Sequence, residues 1–408
     1  MSSERAGQRA GDAAGGTTRD LDRSSGPLEV PPSDIVEEAF AAGAGTSTTT
    51  ALAEALRLAA RLGTVLPGPG TGRTAVIWDT LADVAARDLG VARAVEPHLD
   101  ALAILDQLPP QQRAAVAAVG AGPDSTWGVF AAEGQGLRLE AHELGVGTSG
   151  HSAGGSPSHV LTGGKPWCSL AGTLSHAIVT AHVASADGTP GRQAFAVDLR
   201  HAGVTVDAAA WSGLGLPGVP SGPVQFADVP AVPVGEPGWY LRRPGFAWGG
   251  IGVAACWYGG AVGVAGLLWR QARQRGETLD QIGRMLVGDV DVALHAARVA
   301  LADAAARVDD GRATGADGST LALRVRAVVA DAVETVLRAV GHGTGPAPLA
   351  FDAAHAQRVA DLQLYVRQEH AERDRAALGA ALLAAGSDAD RSDVTRSHVT
   401  RSDEGMPW

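Results

Sequence analysis

The pattern of apolar and polar positions changes twice along the chain. From residue 34 to residue 120, apolar residues recur at helical spacing, and Gly63 and Gly90 end two of the segments. From 121 to 238, strand-like segments alternate with turn residues at intervals of about ten. From 239 to 385 the helical spacing returns in four long segments. The pattern predicts a multidomain α+β protein: an N-terminal α-helical domain, a middle β-barrel or sandwich domain and a C-terminal four-helix bundle.

The two ends and one apolar segment need separate interpretation. Residues 1–33 and 386–408 lack core-forming residues and are predicted to be disordered tails. No secretory segment is visible, so we expect a cytoplasmic protein. Phe246–Trp269 carries no charge and is long enough to cross a membrane. It contains seven glycines and has arginines at both ends, and a buried helix of a core is favoured over a membrane span.

Composition narrows the classes of function. The 408 residues carry a formal net charge of −11, and Lys165 is the single lysine. An acidic chain without a basic stripe is a poor binder of nucleic-acid phosphates. Cys168 and Cys256 are too few for a disulfide framework or a Cys-rich zinc site. The histidines show no ligand spacing, so no metal site is predicted.

One motif lies in the predicted β domain, at Gly163–Ser169 (Gly-Gly-Lys-Pro-Trp-Cys-Ser). Together with the domain order, it resembles the acyl-CoA dehydrogenase family, which has a Gly-x-Lys-x-Trp-x-(Ser/Thr) strand at this place. The resemblance implies bound FAD, with Trp167 covering one face of the flavin and the Ser169 hydroxyl near its N5 atom. The alternative is an ordinary hairpin with one buried tryptophan.

A second stretch, Trp127–Glu133, resembles the first strand of the family's β domain. The family has hydroxyl-bearing residues in the turn that follows, and this chain has alanines instead. The resemblance then implies that backbone N–H groups of Ala131 and Ala132 bind the flavin. A plain core strand is the alternative.

Two further positions are implied by the resemblance, at the adenosine diphosphate half of the cofactor. The family places an arginine after the first helix of its C-terminal bundle, and Arg273 matches it best. The family's glycine-rich turn corresponds to Val340–Gly345. Gly341 and Gly343 would let the backbone approach a diphosphate there.

The last long helical segment carries the candidate catalytic base. Asp361, Tyr365 and Glu369 share one helix face. The resemblance implies that Glu369 is the base, although the family's Gly-Thr pair is replaced by His370 and Ala371. No residue is predicted to break the helix at Glu369. The alternative is a surface acid exposed to solvent.

The resemblance implies flavin-dependent α,β-dehydrogenation of an acyl thioester, on CoA or on a carrier protein, as in fatty acid metabolism. A carboxylate would remove the α-proton while hydride passes to the flavin. Electron-transfer flavoprotein or another acceptor would take the electrons, and a homodimer or homotetramer would form through the C-terminal bundle. No nucleic-acid or membrane partner is expected. Two alternatives are a flavin-dependent monooxygenase on the same fold and a non-catalytic paralogue that binds a partner.

Overall fold

The computed structural model describes residues 30–42, 48–144, 156–184 and 190–393. Most of the two predicted tails, 1–29 and 394–408, lies outside these residues. The part before the sheet is helical, with α1 (Pro32–Ala42), α2 (Thr48–Val65), α3 (Thr74–Arg87), α4 (Leu89–Asp106) and α5 (Pro110–Ala115). Helix α4 begins sharply because the Asp88 side chain accepts a hydrogen bond from the Val91 N–H at 3.0 Å.

Among the described residues of the middle part, seven segments are strands, within the region where the sequence pattern predicts strands. They are β1 (Trp127–Phe130), β2 (Leu139–Glu143), β3 (His159–Lys165), β4 (His176–Ala184), β5 (Pro190–Asp198), β6 (Val204–Val206) and β7 (Val224–Val234). The pairings β4–β5, β5–β7, β7–β3, β3–β2 and β2–β4 close on themselves, so the sheet is a barrel. β1 runs parallel to β4, and β6 pairs with β7.

Helices again make up the rest of the described chain. They are α6 (Trp239–Arg242), α7 (Pro244–Arg275), α8 (Gln281–Asp309), α9 (Gly315–Thr344), α10 (Ala347–Phe351), α11 (Ala353–Tyr365) and α12 (Glu372–Asp393). Helix α12 continues eight residues past the predicted domain end at 385. Helix α7 packs against α3, α8 and α9.

Helix α7 is the apolar segment that the sequence singles out. Pro244–Thr278 is the one described segment long and apolar enough to cross a membrane, and 67% of its most apolar window is buried inside the protein. Glycines allow this packing, because a Cβ atom on Gly259 or Gly263 would collide with the backbone of α3. In this structure α7 is a core helix.

The fourth predicted helix of the bundle is not continuous. Helix α11 ends at Tyr365, a short 3-10 turn follows, and Glu369 has extended backbone before α12 begins. The expectation that nothing breaks the helix at Glu369 is therefore wrong. Ala371 adopts a left-handed φ of 50°, and the Glu369 carboxylate accepts its N–H at 2.7 Å. A side chain bonded to its own local backbone stabilises the turn in place of the helix.

Candidate functional site

Trp167 lies just beyond the end of β3, at the mouth of the barrel. Its backbone is left-handed, with φ of 59°, and its side chain is 59% exposed. The ring meets the edge of Trp211, with 6.4 Å between centroids. A large aromatic side chain held in strained backbone yet left open to solvent is unusual for a packing residue. It offers a flat apolar wall to a ring-shaped ligand.

Two residues further on, the Ser169 side chain makes a contact between the barrel and the helical part of the protein. Its Oγ lies 2.8 Å from the Ser221 Oγ and accepts a hydrogen bond from Nη2 of Arg93 at 3.1 Å. Arg93 belongs to α4, so a guanidinium from the N-terminal helices reaches the predicted flavin side of the barrel. The sequence motif predicts Ser169 but contains no signal for its partner Arg93.

Arg93 is the centre of a buried charged cluster. Its Nη1 donates to Oε2 of Glu96 at 2.7 Å, and its guanidinium lies 5.0 Å above the Tyr365 ring centroid. Glu96 is only 7% exposed. Burial raises the pKa of Glu96 to about 7, although the neighbouring Arg93 lowers it. Glu96 can therefore exchange a proton near neutral pH.

The Tyr365 ring, which packs under Arg93, is in edge-to-face contact with Trp257, with 6.3 Å between ring centroids. The Tyr365 hydroxyl and the Trp257 indole nitrogen are buried and make no well-formed hydrogen bond among the described residues, although Arg93 and the Cys256 thiol lie close to the Tyr365 hydroxyl. Burial raises the pKa of Tyr365 far above its usual value, so the phenol stays protonated. Arg326 stacks over Trp257 at 4.6 Å and donates to the Gln368 carbonyl at 2.7 Å. It thereby fixes the turn that carries Glu369.

Glu369 is buried, 8% exposed, and is not the solvent-facing acid of the alternative interpretation. Its Oε2 accepts the Ala371 N–H, and its Oε1 is buried with no partner among the described residues. The positive charge of Arg326 acts on Glu369, Tyr365 and Glu96 together. Glu369 therefore belongs to the same cluster as Glu96 and Tyr365.

The turn after β1 contains Ala131 and Ala132, and Ala132 is exposed. Glu133 anchors this turn: Lys165 and Arg192 approach its carboxylate at 2.7 and 2.8 Å. Burial alone would favour the protonated acid, but Lys165 and Arg192 bring the net pKa of Glu133 below its usual value. Arg192 also donates to the Ala131 carbonyl at 2.8 Å. The single lysine of the chain, 2% exposed, thus supports the predicted flavin-binding turn.

The structure does not bring the remaining predicted residues to this cluster. Arg273 is exposed in the last turn of α7, about 25 Å along the helix from Cys256. Gly341 and Gly343 lie inside α9, so the predicted glycine-rich turn is helix up to Thr344. A Cβ atom on Gly343 would lie 2.7 Å from Leu268, so this glycine lets α9 pack closely on α7.

A cavity of about 110 Å³ lies beside the charged cluster. Glu96 and Asp100 of α4 form part of its wall, with Trp78 of α3 and with Trp248 and Gly249 of α7. The sequence pattern does contain a signal for these acids. Arg93 and Glu96 interrupt the apolar face of α4, where a charge implies a buried partner or a functional site.

Comparison with known proteins places this geometry in a fold family. Residues 236–363 match the family model described as acyl-CoA dehydrogenase, C-terminal domain. No curated protein sequence matches the chain. The chain therefore has an acyl-CoA dehydrogenase-like fold, with a helical C-terminal domain and a sheet middle domain.

Three solved structures illustrate the similarity. KijD3, in complex with FMN and a dTDP-linked amino sugar, has a TM-score of 0.72 and 18% identity, covering 87% of this chain and 94% of that one. TdsC from Paenibacillus sp. A11-2, with FMN and indole, has a TM-score of 0.70 and 17% identity, covering 85% and 96%. XiaF from Streptomyces sp., with FADH2 and glycerol, has a TM-score of 0.66 and 18% identity, covering 86% and 96%. TdsC is described as a dibenzothiophene monooxygenase.

Proposed function

We propose that this chain is a flavin-dependent oxidoreductase of the monooxygenase type. The observation that carries the proposal is the Arg93 guanidinium, hydrogen-bonded to Ser169 and paired with buried Glu96. Charged groups therefore line the helical side of Ser169, where an acyl chain would require an apolar path. The likeness to a dibenzothiophene monooxygenase supports the same choice.

The residues present fit the isoalloxazine end of a flavin. Trp167 offers an exposed aromatic face, Ser169 a hydroxyl, and the turn at Ala131 and Ala132 a backbone edge held by Glu133. Bound flavin accepts hydride when oxidised and activates dioxygen when reduced. Arg273, in the last turn of α7, and Gly343, near the end of α9, do not belong to the described cluster, so the cluster does not require the adenosine half. FMN and FAD are both compatible with it.

Each polar residue of the cluster has a distinct task in this proposal. The Arg93 charge stabilises negative charge that develops beside Ser169, in a setting from which water is excluded. Glu96, with a pKa of about 7, gives or takes a proton at the cavity side. Tyr365 stays neutral and can donate a hydrogen bond from its unpartnered hydroxyl.

A second candidate is the acyl-thioester dehydrogenation that the sequence motifs imply. One observation favours it: Oε1 of Glu369 is buried with no partner, as a base awaiting a substrate proton would be. The Glu369→Gln variant separates the two candidates, because it retains the acceptor for the Ala371 N–H and removes the base. Loss of a general base costs about 10²–10⁴-fold in rate.

The test begins with the purified full chain, titrated with FMN and with FAD and followed by visible absorbance. We expect flavin binding, weakened at least tenfold in Trp167→Ala through loss of the aromatic wall. Reduced flavin protein should consume oxygen and oxygenate an added indole or amine, and Glu369→Gln should retain that activity. Bleaching of the oxidised flavin by acyl-CoAs, abolished in Glu369→Gln, would establish the dehydrogenase instead. A chain that takes up neither flavin contradicts both candidates.

A further inference from the structure

The segment between β6 and β7, residues 207–223, reaches from the mouth of the barrel to the C-terminal helices, and it is called the Trp211 loop below. At the barrel mouth, the Trp211 ring meets the Trp167 ring edge to face, with 6.4 Å between centroids. The Trp211 indole N–H donates to the Leu216 carbonyl at 3.2 Å. The orientation of the Trp211 ring beside Trp167 therefore depends on where the Leu216 backbone lies.

Helix α11 holds the Leu216 backbone in place. Leu216 has a left-handed φ of 51°, which a bulky residue adopts only where the surrounding contacts enforce it. Its N–H donates to Oδ1 of Asp361 at 2.5 Å. The Gln357 amide, one helical turn earlier, donates to the same oxygen at 2.6 Å and to the Leu214 carbonyl at 3.0 Å. Two polar side chains of α11 thus fix the strained part of the Trp211 loop.

Asp361 is a buried acid, 8% exposed, whose place on α11 is otherwise suited to an apolar residue. Burial raises the pKa of Asp361 above its usual value, although the Leu216 N–H and the Gln357 amide lower it. The loop lies directly against the helix, because a Cβ atom on Gly215 would collide with the Ala360 carbonyl oxygen. Burying a carboxyl group is unfavourable unless it forms hydrogen bonds, so accepting the loop N–H is the reason for an acid here.

The same loop is bonded to the segment that carries the sequence motif. The segments 168–170 and 220–222 are joined by two backbone hydrogen bonds, of 3.1 and 2.9 Å, from the Cys168 and Leu170 N–H groups to the Gly222 and Pro220 carbonyls. Trp167 and Leu170 have left-handed backbone, each with φ of 59°. Strained residues persist only where neighbouring contacts hold them, and here the Trp211 loop supplies these contacts. A movement of the loop would therefore move the Trp167 ring.

We propose that Asp361 is a positioning residue of the flavin site. By holding Leu216 it orients Trp211, and through Trp211 it orients the Trp167 ring that the proposed function assigns to the flavin. That the two rings serve a flavin rests on the proposed function, whereas their orientation by Asp361 does not. Asp361 acts as a hydrogen-bond acceptor and its charge is not required, since the carbonyl oxygen of an asparagine can accept the same two bonds.

Circular dichroism of the flavin-free full chain tests the orientation of the rings. Two indoles in fixed contact give a coupled pair of far-ultraviolet bands, and the difference between the wild type and Trp211→Phe isolates this signal. We expect Asp361→Ala to lose the coupled-indole signal and Asp361→Asn to retain it. The matched control is Asp352→Ala, which should retain the signal. Asp352 also accepts a backbone N–H, from His355 at 3.0 Å, but it does so at the start of α11 and away from the loop.

Titration of the same proteins with FMN and with FAD, followed by visible absorbance, tests what the rings are for. Asp361→Ala should weaken flavin binding about fivefold, as the loss of one hydrogen bond does, and Asp361→Asn and Asp352→Ala should match the wild type. In a Trp211→Phe background, Asp361→Ala should add little further loss, because both changes act through one ring. If the wild type takes up neither flavin, the proposed function fails, and the coupled-indole signal still decides the role of Asp361.

Three results overturn the proposal. The first is a wild-type spectrum that Trp211→Phe leaves unchanged. The second is a folded Asp361→Ala protein that retains the coupled-indole signal or the flavin affinity of the wild type. The third is an equal loss of signal in Asp361→Asn or in Asp352→Ala. Thermal unfolding shows which variants fold. If Asp361→Ala does not fold, Gln357→Ala takes its place, because Gln357 is only partly buried and its loss removes the bonds to Leu214 and Asp361. Retention of the signal in Gln357→Ala then overturns the proposal.

Discussion

Two polar clusters flank Ser169, and they are built differently. On the barrel side, the Glu133 carboxylate contacts Lys165, Arg192 and the His182 ring, and Lys165 is bonded to Glu133 and Thr180. Only Nε of Arg192 lacks a partner in this barrel-side cluster. On the helical side, the Tyr365 hydroxyl, the Trp257 indole nitrogen and one oxygen of Glu369 are all buried without a partner in the described chain.

The difference indicates a division of roles. Buried polar groups are normally hydrogen-bonded, and each exception needs a reason. A cluster whose bonds are already made is suited to holding a turn in place. A cluster with bonds still to be made is suited to receiving a ligand. We therefore interpret the barrel-side cluster as the support and the helical-side cluster as the place where chemistry occurs.

The largest expected effect comes from Arg93, which connects the helical-side cluster to Ser169. Arg93→Ala leaves Glu96 buried without its cation and Ser169 without its donor. We expect a loss of about 3–5 kcal/mol in the free energy of unfolding, measured by urea denaturation. Arg61→Ala is the control, since Arg61 forms an exposed pair with Glu38 and should cost less than about 1 kcal/mol. If the two variants lose the same amount, the buried pair of Arg93 and Glu96 contributes no more to stability than an exposed pair.

Sequence reasoning recovers one side of this comparison better than the other. The strands of the barrel are predictable because turn residues delimit each of them, and Trp167 and Ser169 follow from a local motif. The helical side depends on contacts between residues far apart in sequence. Arg93 and Ser169 are 76 positions apart, and no local pattern pairs them.

The break at Glu369 shows the same limit. No glycine or proline marks it, and the polar stretch 367–375, which is apolar only at Ala371, is equally compatible with an exposed helix. The turn forms because Ala371 tolerates left-handed backbone while the Glu369 carboxylate bonds its N–H, and because Arg326 holds the Gln368 carbonyl from α9. Both hydrogen bonds, Glu369 to Ala371 and Arg326 to Gln368, become visible only in the folded chain. The glycine-rich turn at 341–345 was misassigned for a related reason, since glycine at a helix–helix contact and glycine in a turn have the same sequence signature.

The next largest effect concerns His98, which links the two sides by accepting the Trp127 N–H at 3.3 Å. Burial lowers the pKa of His98 to about 4, below its value of about 6.5 in an unfolded chain. The neutral imidazole is therefore favoured by folding. Its contribution is fully present above pH 6.5 and is lost as pH falls towards 4, by about 2–3 kcal/mol.

Urea denaturation at several pH values between 7 and 4 checks this, on the wild type and on His98→Gln. We expect the acid loss of stability to be smaller in His98→Gln, with His142→Gln as the exposed control that matches the wild type. If the free energy of unfolding falls equally with pH in all three proteins, His98 can be protonated in the folded chain without cost. The barrel side and the helical side would then be less tightly joined than the structure indicates.

A smaller effect is expected on the barrel side, from Lys165→Met. This change removes the bonds of Nζ to Glu133 and Thr180, at 2.7 and 2.9 Å. Because Glu133 is partly exposed and keeps Arg192 and His182, we expect a loss of about 1–3 kcal/mol in the free energy of unfolding. Flavin retention should fall with it, since the turn at Ala131 loses an anchor. Arg138→Met, which breaks an exposed pair with Glu140, should change neither quantity.

The smallest expected change in stability, and the sharpest test of the comparison, is Tyr365→Phe. The Tyr365 side chain is 1% exposed, and its hydroxyl has no hydrogen-bond partner in the described chain. Removing a buried hydroxyl that makes no bond takes away a desolvation cost and little else, so the free energy of unfolding should change by less than about 1 kcal/mol. Ligand binding on the helical side should still weaken, because the free donor is lost. A destabilisation above about 2 kcal/mol in urea denaturation would instead mean that the hydroxyl is bonded in the folded protein, to Arg93 or to the Cys256 thiol beside it. The helical side would then be as fully paired as the barrel side, and the division between support and chemistry would fail.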